Sequence, residues 1–225
     1  MAALRETHGG PGSCRPGAPG GHFFLYVEGP RDADILRIWG RRVSRRLARQ
    51  LESKIVILGG RRPERARDHF RAMSAGGGPG RGLVVLDRDH HKPVEPLSRL
   101  EPGLEIFTWQ RRHIESYLLV APAIRRALRH AVDPHLLDRL IAECVPPAHD
   151  EEACRQANAK EILGSKGPLA RSAGGRLSPA SVARSMRLEE FHPEILALYE
   201  RIRQLAEVQD QIPVSETLHE GTGTG

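Results

Sequence analysis

Cysteine is scarce in this chain: Cys14, Cys144 and Cys154 are the only three, odd in number and far apart, with no C-x-x-C pair. That spacing argues against a disulfide framework and against a cysteine-built zinc site, and it makes a reducing, cytoplasmic setting the expectation. Long apolar runs are missing as well, so nothing reaches the roughly 20 residues that a membrane-spanning helix needs. The opening stretch MAALRETHGGPGSCRPGAPGGH has no apolar segment of the signal-peptide kind. Lysine is nearly absent: of 34 basic residues only Lys54, Lys92, Lys160 and Lys166 are lysines. Arginine holds its proton almost unconditionally, whereas lysine is a compact charge with a movable pKa, so each lysine carries more information than each arginine.

What is present suits one α/β domain with a substantial core and an appendage, for which 225 residues suffice. A formal charge of +6 fits a polyanionic partner, because cations placed against phosphates release counterions. HFFLYV reads as the first strand. After Pro30, which suits a first helical turn, Ile35, Leu36, Trp39, Val43, Leu47 and Leu51 keep helical spacing, with Arg37, Arg41, Arg42, Arg45 and Arg49 opposite. KIVILGG is a second strand, RPERARDHFRAMS a helix, AGGGPGRG a loop and GLVVLDRD a third strand. LEIFTW is a fourth, reached through a Pro-rich connection. Strands alternating with helices imply a Rossmann-like α/β fold with a mostly parallel sheet and right-handed crossovers.

From about residue 121 the pattern is helical: APAIRRALRHAV, DPHLLDRLIAECV, HDEEACRQANAKEIL, SPASVARSM and HPEILALYERIRQLAEVQ, several opened by Asp, Ser or Pro. The expected organisation is a Gly- and Pro-rich disordered leader over 1–21, a catalytic domain over 22–120, a helical extension over 121–210 and a flexible tail over 211–225.

In open parallel sheets ligands bind outside the carboxyl ends of the strands, and the acidic residues collect there. Glu28 ends the first strand. Asp87 and Asp89 end the third, where strand alternation sends both side chains to one side. Asp32 stands one helical turn beyond Glu28, and Glu115 follows the fourth strand in RRHIESYLL. Such a cluster repels itself unless a cation sits in it, and hard divalent ions with oxygen ligands are the usual solution. Magnesium or manganese fits better than zinc, since no cysteine joins the acids. Gly29 is expected to let the chain turn without a side chain crowding the ion. His90, His91 and His113 each read, taken alone, as solvated loop residues, with a ligand or proton-shuttle role as the alternative.

With those residues in view, VEGPRDADIL followed by LVVLDRDHH resembles the TOPRIM domain of topoisomerases, bacterial primases, small nucleases and the OLD family. WQRRHIESYLL is similar to an element of OLD-like and DUF4435-type TOPRIM proteins, which often work beside an ABC-type ATPase. The resemblance covers roughly residues 22–120. It implies that Glu28 acts as general acid or base or as a metal ligand. Asp32, Asp87, Asp89 and Glu115 become further ligands of one or two Mg²⁺ or Mn²⁺ ions. Lys166 in GSKGPLA is similar to a lysine near the scissile phosphate, with Lys160 as its rival. The tyrosine apparatus of topoisomerases and the zinc module of primases are not seen, which leaves nuclease.

The expectation is therefore a metal-dependent endonuclease acting on DNA or RNA, with Arg111, Arg112, His113 and the basic face of the first helix holding the backbone without reading sequence. Family analogy adds bacterial anti-phage defence and homodimers. No G-x-x-x-x-G-K-[ST] motif occurs, so an ATPase is expected to be a separate protein. Two other classes compete: a non-catalytic nucleic-acid or protein-interaction module, and a small-substrate phosphatase using Asp87 as nucleophile. The second is disfavoured by His90, which stands where such phosphatases usually have Thr or Val.

Overall fold

The structure, a computed structural model, describes residues 23–75, 80–92 and 95–207. The expected leader at 1–21 and tail at 211–225 lie outside these residues. In β1 (Phe23–Val27), Phe23, Leu25 and Val27 join one buried cluster while Phe24 and Tyr26 join the other, as the pleat requires. β2 (Ile55–Ile57) and β3 (Arg81–Leu86) pair with β1 on either side, both in parallel. β5 (Leu104–Thr108) adds in parallel beyond β3. The protein is thus mixed α/β with a mostly parallel sheet, the class the sequence predicts.

One strand was hidden in the Pro-rich connection. β4 (Leu97–Glu101) runs antiparallel to β5 and closes the sheet in the order β2-β1-β3-β5-β4. Leu97, Ser98 and Arg99 are exposed, so this edge strand has no buried apolar alternation to betray it. The hairpin turns at Gly103, whose φ of +82° suits glycine, and a Cβ there would stand 2.7 Å from the Gly80 carbonyl oxygen.

The long first helix is two. α1 (Pro30–Val43) ends and α2 (Arg45–Leu51) begins at Ser44, which is extended at φ −156°, ψ 120°. Its N–H donates to Gly40 O at 2.9 Å, and its hydroxyl accepts from Leu47 N at 3.1 Å, so one residue caps both helices. Apolar spacing continues across the break because both pieces bury the same face, with Trp39, Val43, Leu47 and Leu51 all buried.

α3 (Pro63–Ala75) covers the opposite face of the sheet through Ala66 and Phe70. On the α1 side lie α4 (Ala121–Leu128), α5 (Pro134–Cys144), α9 (Pro179–Ser185) and α10 (Pro193–Leu205). Their buried residues form one cluster with Leu25, Trp39, Leu83 and Phe107, so the helical half and the sheet share a core. Tyr199 of α10 donates to the Leu36 carbonyl inside it, and Arg201 pairs with Glu105 on β5. The segment HDEEACRQANAKEIL forms α6 (Glu151–Gln156) and α7 (Ala159–Ile162), and KGPLARS adds α8 (Pro168–Ser172), which the sequence did not mark. Among the described residues no helix is long and apolar enough to cross a membrane.

Candidate active site

Three adjacent strands deliver the acids to one edge. Glu28 follows β1, and its Oε1 accepts from the Asp87 N–H at 2.8 Å, tying the ends of β1 and β3 together. Its own carbonyl accepts from Gly59 N at 3.0 Å and Gly60 N at 2.9 Å, which fastens the end of β2 beside it. Asp32 is held by helix capping: its Oδ2 accepts from the Gly29 N–H at 2.8 Å in the first turn of α1. Gly29 is extended at φ −140°, ψ 170°, and a Cβ would meet Asp32 Oδ2 at 3.6 Å, an ordinary contact. The turn itself therefore does not call for glycine.

Asp87 is buried, with Oδ1 accepting from Ile114 N at 2.9 Å and Oδ2 from Lys160 Nζ at 2.8 Å. Strand pairing ends at Leu86, so alternation does not extend to Asp89, which sits in the left-handed region at φ +53°. The Asp89 N–H donates to Arg112 O at 2.9 Å, and its Oδ1 lies 3.6 Å from His113 Nε2. Glu115 belongs to the 3-10 turn Ile114–Leu118 and is 1% exposed. Arg31 reaches its Oε1 at 3.3 Å, while its Oε2 is buried without a hydrogen-bond partner.

The charges feel one another. Burial, followed by the nearby Asp87, pushes Asp32 up to about 7, against the pull of the Gly29 N–H. Glu28 is raised by burial, with Asp87 and Asp89 adding to it, and Asp87 is raised because burial outweighs the Lys160 ammonium. Burial draws Lys160 down, but Asp87, Glu115 and Asp89 overcome it and hold the ammonium charged. His113 is lowered to about 4 by burial and then by Lys160 and Arg112, so it is neutral at pH 7. Its Nδ1 is buried and unpartnered.

Among the described residues no group of three His, Cys, Asp or Glu side chains is arranged to hold an ion. The donors nonetheless fit a hard divalent ion in kind. They are carboxylate oxygens, those of Glu28, Asp32 and Asp87 raised chiefly by burial with neighbouring carboxylates adding to it, and Glu115 Oε2 lacks a hydrogen-bond partner. Lys160 and Arg31 now occupy Asp87 Oδ2 and Glu115 Oε1.

Other expectations change with the packing. Lys160 of α7 is the lysine set against the acids, whereas Lys166 is exposed. Arg111 is 7% exposed and fully engaged: it makes two bonds to Glu151, at 3.2 and 2.7 Å, and one to Ser116 O at 3.1 Å, and it lies over the Tyr117 ring. It acts as a structural clamp, and its burial and these bonds leave it poorly placed to hold a phosphate. Arg112 bonds His90 at 2.8 Å, and His113 faces Asp89 instead of an open groove. Arg61 was missed: its Nη1 donates to the Asp87 carbonyl and lies 3.9 Å from Glu28 Oε1. The signal was its place just after the GG that ends β2, beside β1 at the same sheet edge.

These features define an α/β protein with an acidic, cation-lined site at the carboxyl ends of its central strands. Among solved structures, the chain is similar to the C-terminal region of the Xanthomonas campestris pv. campestris OLD protein, at TM-score 0.47 and 15% identity over 83% of this chain and 97% of that one. It is also similar to the C-terminal region of the Burkholderia pseudomallei OLD protein, at TM-score 0.40 and 15% identity over 83% and 98% of the two chains. No protein-family profile matches the sequence, and no curated protein matches it significantly.

Proposed function

We propose that this chain is a TOPRIM-type, OLD-like metal-dependent endonuclease that hydrolyses phosphodiester bonds in DNA or RNA. The observation that carries the reading is the convergence of Glu28, Asp32, Asp87, Asp89 and Glu115 on one edge, where burial and mutual charge raise several of them together. These residues would hold one or two Mg²⁺ or Mn²⁺ ions. When bound, such ions supply Lewis acidity and a lowered pKa for an attacking water. Glu28, whose Oε1 accepts from the Asp87 N–H, would accept or return a proton. Lys160 and Arg61 offer positive charge to the oxygens of a phosphate. A role in anti-phage defence with an ATPase partner is the biological setting that suits this chemistry.

The test is plasmid and RNA cleavage at low salt with Mg²⁺ or Mn²⁺, beside an Asp87→Ala/Asp89→Ala double variant. Cleavage by wild type and loss of at least roughly 100-fold in the variant are expected. Equal cleavage by both would sink the reading.

The pairs Lys160–Asp87 and Arg31–Glu115 favour a second reading, a non-catalytic module whose acids are neutralised internally. It expects no change in melting temperature on adding Mg²⁺ or Mn²⁺. The nuclease reading expects a rise that depends on ion concentration, since a ligand of the native state stabilises it.

A further inference from the structure

The break at Ser44 has a second result. It folds the last turn of α1 against α2 so that Arg41, Arg42, Arg45 and Arg49, with Ala48 and Glu52, line one hollow of about 640 Å³. The four arginines are all exposed. Among the described residues their only carboxylate neighbour is Glu52, 3.7 Å from Arg41, with both side chains more than half exposed. Arg42 is held by a main-chain carbonyl, Arg184 O at 2.8 Å, and Arg49 by Arg45 O at 3.4 Å. Neither bond neutralises charge. Arg45 makes no ion pair among the described residues.

A helix C-terminus attracts cations, which accounts for Arg41 and Arg42 in the last turn of α1 and for Arg49 in the last turn of α2, but not for Arg45 at the start of α2 nor for the gathering of all four in one hollow. Left in water without counter-charges, such a group repels itself, and a row of phosphates is the anion that would relieve it while releasing counterions. A membrane surface fits less well. The apolar residues of α1 and α2 are turned into the core, so no exposed apolar wedge accompanies the arginines.

We infer that the Arg41–Arg49 hollow is a binding site for the nucleic-acid backbone, separate from the acidic edge and reading no sequence. α1 connects the two. Asp32 lies in its first turn and Arg41 in its last, about 14 Å apart at about 1.5 Å per residue, or about four base-pair rises of 3.4 Å. Arg37, on the same helix, lies between them. The hollow takes over the holding role that Arg111 is poorly placed to perform. What the bound strand is used for rests on the nuclease reading, but the binding itself does not.

The experiment measures fluorescence anisotropy of a labelled 25-bp duplex in EDTA, across 50 to 200 mM salt, with the full chain. Compared are wild type, Arg41→Gln/Arg45→Gln/Arg49→Gln, and Arg139→Gln as an exposed arginine elsewhere. The triple variant is expected to bind at least roughly ten-fold more weakly at low salt, with a log–log salt slope shallower by about 3, near 0.9 for each phosphate no longer neutralised. Arg139→Gln is expected to bind with the wild-type slope. An unchanged slope in the triple variant, with unchanged circular dichroism, overturns the inference and leaves the nuclease reading standing. So does an equal loss in Arg139→Gln, which would make the effect one of net charge. Binding of the wild type to anionic phosphatidylserine vesicles, with no duplex binding, also overturns it and assigns the hollow to a membrane. Duplex binding through the hollow by a protein that cuts nothing would uphold this inference and sink the other.

Discussion

Lys160 donates to Asp87 and Lys166 is exposed, so exchanging each for methionine separates their roles. Lys160→Met is expected to cut cleavage by roughly 100-fold, the scale of losing one group that stabilises developing charge, and Lys166→Met to leave it within a few-fold. The rates with each ion decide it. At Arg111 the prediction concerns stability. Arg111→Ala removes the clamp between Glu151 and the 3-10 turn, though Glu151 keeps Arg155 and His192 nearby, at a cost of roughly 1–2 kcal/mol, visible as a lower denaturant midpoint. A residue that merely touched phosphate would leave the midpoint unchanged. Asp32 gives a pH test in EDTA. Its folded pKa is raised to about 7 from an ordinary 3.8, so the stability tied to its protonated form is complete below about 3.8 and lost as pH rises through about 7. Unfolding free energy is expected to fall across that window and to fall less in Asp32→Asn, which keeps an acceptor for Gly29 N. At this scale the acids were legible because strand ends are, while Lys160 stood only as the rival of Lys166 and Arg61 was not seen. Each comes from a segment distant in sequence, and only pairing of β2 with β1 and docking of α7 bring them in.

Elements were legible in proportion to how much of them is buried. β1 and β3 are apolar runs because both of their faces are covered, and the sequence shows them directly. β4 escaped because one edge and much of its surface meet water. Its hairpin is nonetheless specified at Gly103. Gly103→Ala is expected to cost about 2 kcal/mol, from the positive φ and from the approach to Gly80 O, measured by chemical denaturation. Gly29→Ala, at an extended φ with an ordinary contact, is expected to change stability by less than about 1 kcal/mol in the same assay. The split of the first helix at Ser44 was invisible to apolar spacing, since α1 and α2 bury one continuous face. A Ser followed by Leu47 held a capping signal that spacing alone does not weigh.

At the scale of the molecule, Trp39 packs on Trp109 and Phe191 at centroid distances of 6.5 and 5.9 Å, joining α1, the end of β5 and the helical half in one aromatic cluster. Residues 22–120 alone would expose Trp39, Phe107 and Trp109, and would lose Lys160 from Asp87. That fragment is expected to lack a cooperative unfolding transition and near-ultraviolet circular dichroism, where residues 22–207 keep both. A fragment that unfolded cooperatively would mean the sheet needs no helices beyond residue 120.

The sequence by itself determined the α/β alternation and the acids at the strand ends. Burial periodicity and strand termination are local properties that leave a mark on neighbouring residues. Tertiary structure alone decided which cations meet those acids, that Arg111 turns inward to Glu151, and that the arginines of α1 and α2 share one hollow. Such pairings depend on how separate elements pack, and a charged side chain looks the same in sequence whether it ends in water, in a clamp or against a buried carboxylate.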